Sequence, residues 1–141
     1  MLRAPRDAGK LRADVLSMRA QLLEGHPNTS GLFDLKHDRG GMIDVEFAVQ
    51  HLVLAHASRH AGLTRNLGNI ALLGMAAELG LIPAALAEGA RNAYREFRRR
   101  QHALRLNGAQ YARVGLAEVA LHVEAVKALW SAVVGPTSPG T

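Results

Sequence analysis

The sequence predicts an all-α fold, a bundle of about five helices with an irregular loop between the first two. Three observations predict it. Leu, Ala, Arg and Glu dominate the composition, and all four favour helix. Apolar residues recur at three- and four-residue intervals along most of the chain. Glycines and prolines fall where those intervals break, at the positions that end or start helices.

Asp7 is placed as an N-cap, and Leu11, Val15, Met18 and Leu22 recur on one face of a first helix. Gly25 ends that helix and Pro27 prevents its continuation. His26 to Gly31 reads as a polar loop, and Leu32 to Lys36 as a short extended piece. A second helix is expected from about Met42 to Ala61, stopped by Gly62. Ile43, Phe47, Val49, Leu52, Val53 and Leu54 cover more than half of its circumference, so it should be central and packed on several sides. Thr64 to Asn69 is a turn in which Asn66 or Asn69 can cap the third helix. Ile70, Leu72, Leu73, Ala76, Ala77 and Leu79 form the buried side of that helix, and Gly80 terminates it.

Pro83 suits the first turn of a fourth helix, from about Ala84 to Leu106. Leu86, Ala90, Ala93, Phe97 and Leu104 make an apolar stripe along it. Arg91, Arg95, Arg98, His102 and Arg105 make a basic stripe on a different face. Asn107-Gly108 breaks the helix. Leu116, Ala120, Val123, Val126, Trp130 and Val133 mark a fifth helix to about Val134. Residues 1–134 are therefore expected to form a single helical domain, and 135–141 a disordered Gly/Pro/Ser/Thr tail. The opening Met1-Leu2-Arg3-Ala4-Pro5-Arg6 reads like the middle of a longer chain given a start methionine.

Composition narrows the function classes. The 141 residues can bury roughly two thirds of the unfolded surface. The net charge of +5, from 17 Lys+Arg against 12 Asp+Glu, favours an anionic partner without naming one. The chain has no cysteine, which excludes disulfides and thiol chemistry. No apolar run approaches the roughly 20 residues that span a bilayer, and the N-terminus has no signal-peptide apolar region. A cytoplasmic protein without membrane attachment is expected.

The chain is organised around Phe33-Asp34-Leu35-Lys36-His37-Asp38-Arg39-Gly40-Gly41-Met42-Ile43-Asp44-Val45-Glu46-Phe47. It alternates like a strand, turns through charged residues to two glycines, and runs straight into the second helix. Glycines before a helix leave its first N–H groups unshielded, and such groups attract anions. Lys36 stands where it can reach a phosphate held on the Gly40 and Gly41 N–H groups, although the Walker A spacing is absent. The plainer reading is a close-packed strand-to-helix corner, and it is the preferred one. Asp44 and Glu46 point roughly 200° apart on a helix, so they cannot close on one metal ion. Support of the corner through the helix N-terminus or a basic partner is the better reading for both. His56 and His60 have a metal-ligand spacing, but the glutamate of H-E-x-x-H and a third ligand are missing. No metal site and no catalytic residue are expected in this chain. The basic stripe of the fourth helix is a solvated face, a docking surface for an acidic neighbour, or a phosphate-contacting surface. No aromatic residues interleave with it, which argues against nucleic acid.

The corner carries a resemblance. Phe33-Asp34-Leu35-Lys36, then Gly40-Gly41-Met42-Ile43-Asp44-Val45-Glu46-Phe47 and Gln50, resembles the signature of bacterial glutamine synthetase adenylyltransferase. Leu63-Thr64-Arg65, Asn69-Ile70-Ala71-Leu72-Leu73, Gly80-Leu81-Ile82, and Ala93-Tyr94 with Arg98 and His102 are similar to later segments of that family, in order and at fitting spacing. The resemblance covers most of the chain from Asp7 to about Trp130. It implies one half of a two-part enzyme, each half a nucleotidyltransferase domain followed by a helical domain. Asp44 after the glycines looks like the C-terminal helical domain, of the half that adds AMP. The Gly-Ser turn and paired magnesium-binding aspartates of that family are not in this sequence, so this chain alone should not transfer AMP.

The resemblance further implies ATP and Mg2+ as cofactors of the full-length enzyme, with none bound by this chain alone. It implies glutamine synthetase, the PII signal protein and an upstream nucleotidyltransferase domain as partners. Lys36, Gly40, Gly41, Arg98 and His102 are the expected nucleotide- or substrate-facing residues, with Asp44 and Glu46 bracing the site. The alternative is a protein-interaction module whose basic stripe docks glutamine synthetase or PII, with a purely structural glycine corner.

Overall fold

In the computed structural model, residues 8–56 and 68–135 are described. They form five helices and one short ribbon: α1 (Ala8–Gly25), β1 (Phe33–Asp34), α2 (Met42–His56), α3 (Asn69–Glu78), α4 (Ala84–Leu106), β2 (Arg113–Val114) and α5 (Leu116–Val133). The fold is all-α, as the periodicity predicts. None of the described helices is long and apolar enough to cross a membrane.

The wide apolar arc of α2 puts it at the centre, where it touches α1, α3, α4 and α5. Its Val45, Ala48, Val49, Leu52 and Val53 are buried. Phe97 of α4, Leu73 of α3, and Val126 and Leu129 of α5 meet them in one continuous core. Small residues set the spacing of α4. Ala87, Ala90 and Ala93 are buried on it, and a Cβ on Gly89 would lie 3.3 Å from the Ala125 Cβ of α5. Bulk there would push the two helices apart.

Several elements differ in detail from expectation. On α1 the buried line runs Leu11, Val15, Arg19, while Met18 is half exposed. A straight helix drifts off a seven-residue spacing, so the four-residue step from Val15 reaches the core and the three-residue step does not. Asn69 is not the cap of α3 but its first residue. Gly68 holds the capping position without a side-chain bond, because the Asn69 amide is turned toward Tyr94 instead. Leu79 is exposed at the end of α3. Pro83 caps α4 with extended backbone rather than lying within its first turn. Leu116 and Ala120 of α5 face outward, and Val119 and Leu129 take their places in the core. Asp7, Ala61, Gly62, the turn from Thr64 to Asn66, and the tail 136–141 lie outside the described residues.

Only the first strand of the ribbon is expected from the sequence. Phe33 pairs with Val114 and Asp34 with Arg113, antiparallel. The Leu35 N–H donates to the Ala112 carbonyl at 2.8 Å and extends the pairing by one bond. The ribbon ties the α1–α2 loop to the entry of α5, and its position decides what surrounds Lys36.

Candidate functional site: the glycine corner and the basic groove beside it

The corner is closed by its own groups. Gly40 has φ +89°, and the Gly41 N–H donates to the Asp38 carbonyl at 2.9 Å. The Met42 and Ile43 N–H groups donate to the Leu35 and Lys36 carbonyls at 2.8 and 3.1 Å. The Gly40 N–H donates to Asp44 Oδ2 at 2.7 Å. The Met42 and Ile43 N–H groups, and those of both glycines, therefore already have protein acceptors. A Cβ on Gly41 would lie 2.7 Å from the Leu35 carbonyl oxygen, so this glycine is needed for close approach.

Asp44 is the hub beneath the corner and is 1% exposed. Its Oδ1 accepts from Nε of Arg19, itself fully buried. Arg39 Nε lies 3.6 Å from Oδ2 and stacks its guanidinium 4.9 Å from the Trp130 ring centroid. Arg19 Nη2 also donates to the His37 carbonyl at 2.6 Å. Glu46 faces the opposite way and accepts from the Tyr94 hydroxyl at 2.9 Å. Asn69 Nδ2 donates to the same hydroxyl at 3.2 Å, joining α2, α3 and α4. Burial, and then the nearby Glu46 carboxylate, push the Tyr94 hydroxyl above its ordinary pKa, so it stays protonated as the donor. The two carboxylates share no ligand position, and among the described residues no group of three or more His, Asp or Glu could hold a metal ion. His60 lies outside the described residues.

The charged turn before the glycines is also built from local bonds. Asp34 Oδ1 accepts from the Lys36 and His37 N–H groups at 2.9 Å each. Asp38 Oδ2 accepts from the Asp34 N–H and from Asn28 Nδ2, both at 2.9 Å. His26 stacks on His37, ring centroids 3.9 Å apart. Burial lowers the His37 pKa, against the pull of the Asp34 carboxylate. His37 is thus a neutral ring near neutral pH and adds little to the basic surface.

This turn leaves the Lys36 side chain over a groove of about 130 Å³, lined by Lys36, Gln101, Arg105, Gln110 and Tyr111 among others. Gln101 and Arg105 also line a broader open depression along α4 with Arg95, Arg98 and His102. The structure thus brings Lys36 and the Arg98/His102 face onto one surface, and leaves Gly40 and Gly41 behind it in the interior. Arg91 departs from the stripe: it lies over Gly74 of α3 and pairs with Glu88 at 3.5 Å. Arg99 and Arg100 are neutralised by Glu96 at 2.7 Å each, and Arg100 also reaches Glu118 at 2.9 Å. Lys36, Arg95, Arg98 and Arg105 form no ion pair with the described residues.

Sequence reasoning missed Arg19, Tyr111 and Arg113. Arg19 reads as a solvated residue of an exposed helix, and only its four-residue step from Val15 marks it as inward. Tyr111-Ala112-Arg113-Val114 between Gly108 and Gly115 alternates polar and apolar over four residues, a short strand signal that β1 completes.

The chain has counterparts in sequence among known proteins. The family model described as GlnD PII-uridylyltransferase matches residues 13–114, and the chain belongs to that family. Among curated relatives, it is 57% identical over 129 residues to the bifunctional glutamine synthetase adenylyltransferase/adenylyl-removing enzyme of Bordetella bronchiseptica, covering 92% of this chain and 14% of that protein. It is 52% identical over 135 residues to the enzyme of that name from Burkholderia mallei, covering 96% of this chain and 15% of that protein. The counterpart from Nitrosomonas europaea is 60% identical over 108 residues, covering 77% of this chain and 12% of that protein. The chain thus spans about one seventh of the length of the relatives it matches.

Proposed function

We propose that this chain is the C-terminal helical domain of a bifunctional enzyme that adenylylates and deadenylylates glutamine synthetase in nitrogen regulation. It packs beside a nucleotidyltransferase domain and forms one wall of the nucleotide site. The identity to the adenylyltransferases supports the assignment to that enzyme. The observation that carries the site reading is the continuous surface of Lys36, Arg105, His102 and Arg98, whose three permanent cations have no acidic partner among the described residues. Such a surface offsets the negative charge of phosphates and of the transition state for their transfer, where positioning and electrostatics do most of the work.

In this reading Asp44 and Glu46 brace the wall from behind, and Gly40 and Gly41 shape the turn that presents Lys36. ATP supplies the adenylyl group in the full-length enzyme. The acidic residues of the corner are committed to protein donors and do not fit Mg2+, so the ion belongs with the nucleotidyltransferase domain. Glutamine synthetase and PII are the protein partners, in the cytoplasm.

The test is the adenylylation rate of the full-length enzyme with Lys36→Ala. The backbone bonds of Lys36 survive the change, so the thermal melt should be unaltered. A rate drop of about tenfold or more, roughly 1.4 kcal/mol of transition-state stabilisation, is expected. An unchanged rate overturns the wall reading. It would favour the rival assignment of the open α4 face as a docking surface for glutamine synthetase or PII.

A further inference from the structure

Among the described residues, Tyr111 is the one aromatic side chain that is more than half exposed; Phe33, Tyr94, Phe97 and Trp130 are buried and Phe47 is partly so. Exposure of a large ring costs solvation free energy, and here the ring is also held in place. The Arg113 guanidinium lies 4.0 Å from its centroid and covers one face. Arg113 is 17% exposed, and its Nε sits 3.4 Å from Asp34 Oδ2. Asp34 is in turn fixed by the Lys36 and His37 N–H groups. The ribbon therefore fixes Lys36 and the Tyr111 ring in one frame.

The groove between them has a specific chemistry. Lys36 and Arg105 supply two cations, Gln101 and Gln110 supply amides that both donate and accept, and the one carboxylate in the lining, Asp34, is held by the Lys36 and His37 N–H groups and by Arg113. Its volume of about 130 Å³ admits a phosphoryl group. It is well short of the roughly 300 Å³ at which pockets begin to enclose whole drug-sized ligands. A ligand that fills the groove with phosphate must lay the rest of itself on the neighbouring surface, and the half-exposed Tyr111, with Arg113 over its ring, is the aromatic residue that lines the groove.

We propose that Tyr111 is a nucleobase-stacking platform. A purine nucleotide places phosphate on Lys36 and Arg105 and stacks its base on the free face of Tyr111, with Arg113 holding the ring from behind. This rests on the reading that Lys36 faces nucleotide. A ring already fixed by Arg113 loses little freedom on stacking, which keeps more of the contact energy as affinity.

The experiment is equilibrium titration of the full-length enzyme with ATP and, separately, with inorganic triphosphate, which lacks a base. Tyr111→Ala is expected to weaken ATP by about tenfold and to leave triphosphate within about twofold, while Tyr111→Phe, which keeps the ring face, binds ATP as the parent does. Lys36→Ala should weaken both ligands. Unchanged ATP affinity in Tyr111→Ala, with Lys36→Ala still weakening both, overturns the stacking role and leaves the groove intact. Equal losses in Tyr111→Ala and Tyr111→Phe also overturn it, because the hydroxyl rather than the face would then be responsible. No change in any variant removes the groove reading together with the stacking role. Tyr111 is exposed, so a common thermal melt checks that all variants fold.

Discussion

The glycine corner and the ribbon groove are neighbours in the chain and treat their polar groups in opposite ways. In the corner, Asp44 gathers the Gly40 N–H and Arg19, and the Leu35 and Lys36 carbonyls take the first N–H groups of α2. In the groove, Lys36 and Arg105 lie at an open surface with no ion pair to the described residues. A sequence motif spanning both regions therefore mixes two kinds of requirement. Its glycines and its aspartate specify a turn that cannot be built otherwise. Its lysine side chain makes no ion pair with the described residues. The division holds if changes in the corner are read out as stability and changes in the groove as binding.

The largest expected effect is in the corner. Asp44→Ala leaves Arg19 as a buried charge without its carboxylate and the Gly40 N–H without its acceptor. Removing one partner of a buried ion pair costs about 3–5 kcal/mol, a large share of the roughly 5–15 kcal/mol typical of a domain. Denaturant unfolding should show that loss, with a smaller one for Asp44→Asn, which keeps an acceptor. A loss below about 1 kcal/mol, the scale of an exposed pair, would mean that Arg19 finds water or another acceptor and that the corner is not closed.

Next is Gly41→Ala. The added Cβ would meet the Leu35 carbonyl oxygen at 2.7 Å, and that oxygen already holds the Met42 N–H. Relief requires moving the first turn of α2 against the ribbon, at about 1–3 kcal/mol by the scale for overpacking. Gly80→Ala separates this from backbone strain. Gly80 has φ +76° but open space around its Cβ, so only the left-handed conformation penalises it, by roughly 1–2 kcal/mol. A Gly41→Ala loss no greater than half of the Gly80→Ala loss would show that the corner yields easily.

The same contrast explains what the sequence disclosed. The bounds of α4, Ala84 to Leu106, were legible because Pro83 and Asn107-Gly108 punctuate a long amphipathic run. The corner was legible as a strand-to-helix turn because glycine carries an unambiguous steric meaning. That the glycines serve close packing was the preferred reading, but the groups they approach were not legible. Leu35 and Lys36 offer their carbonyls only through backbone geometry, which no side-chain pattern reports. Arg19 was invisible for a related reason: a guanidinium reads as surface unless its partner is known, and Asp44 lies 25 residues further on. The groove depended on a pairing across 79 residues, Asp34 with Arg113, between strands of two residues each. The alternation from Tyr111 to Val114 signals a strand but not its partner, so Tyr111 could not be placed beside Lys36 before the fold was known.

The smallest effect concerns the neutralised edge of α4, which borders the open face. Glu96 accepts from Arg99 Nε and Nη2 at 2.9 and 2.7 Å and from Arg100 Nε at 2.7 Å. The Arg99 hydrogen bonds first, then that of Arg100, hold its carboxyl at about 2 against an ordinary 4.5. A carboxylate with a depressed pKa adds stability that is complete above its unfolded value and disappears as pH falls through the folded one. The Glu96 contribution should thus fade between about pH 4.5 and pH 2. Glu96→Gln should flatten the acid side of the stability profile in that window, and its full cost should appear above about pH 4.5, kept small because Arg99 is exposed and water screens the pair. Identical acid profiles for the two proteins would show that Glu96 does not hold these arginines in solution. Arg99 would then join Arg95, Arg98 and Arg105 in the cationic surface, with Arg100 left on Glu118, and the neutralised edge of α4 would shrink to that one pair.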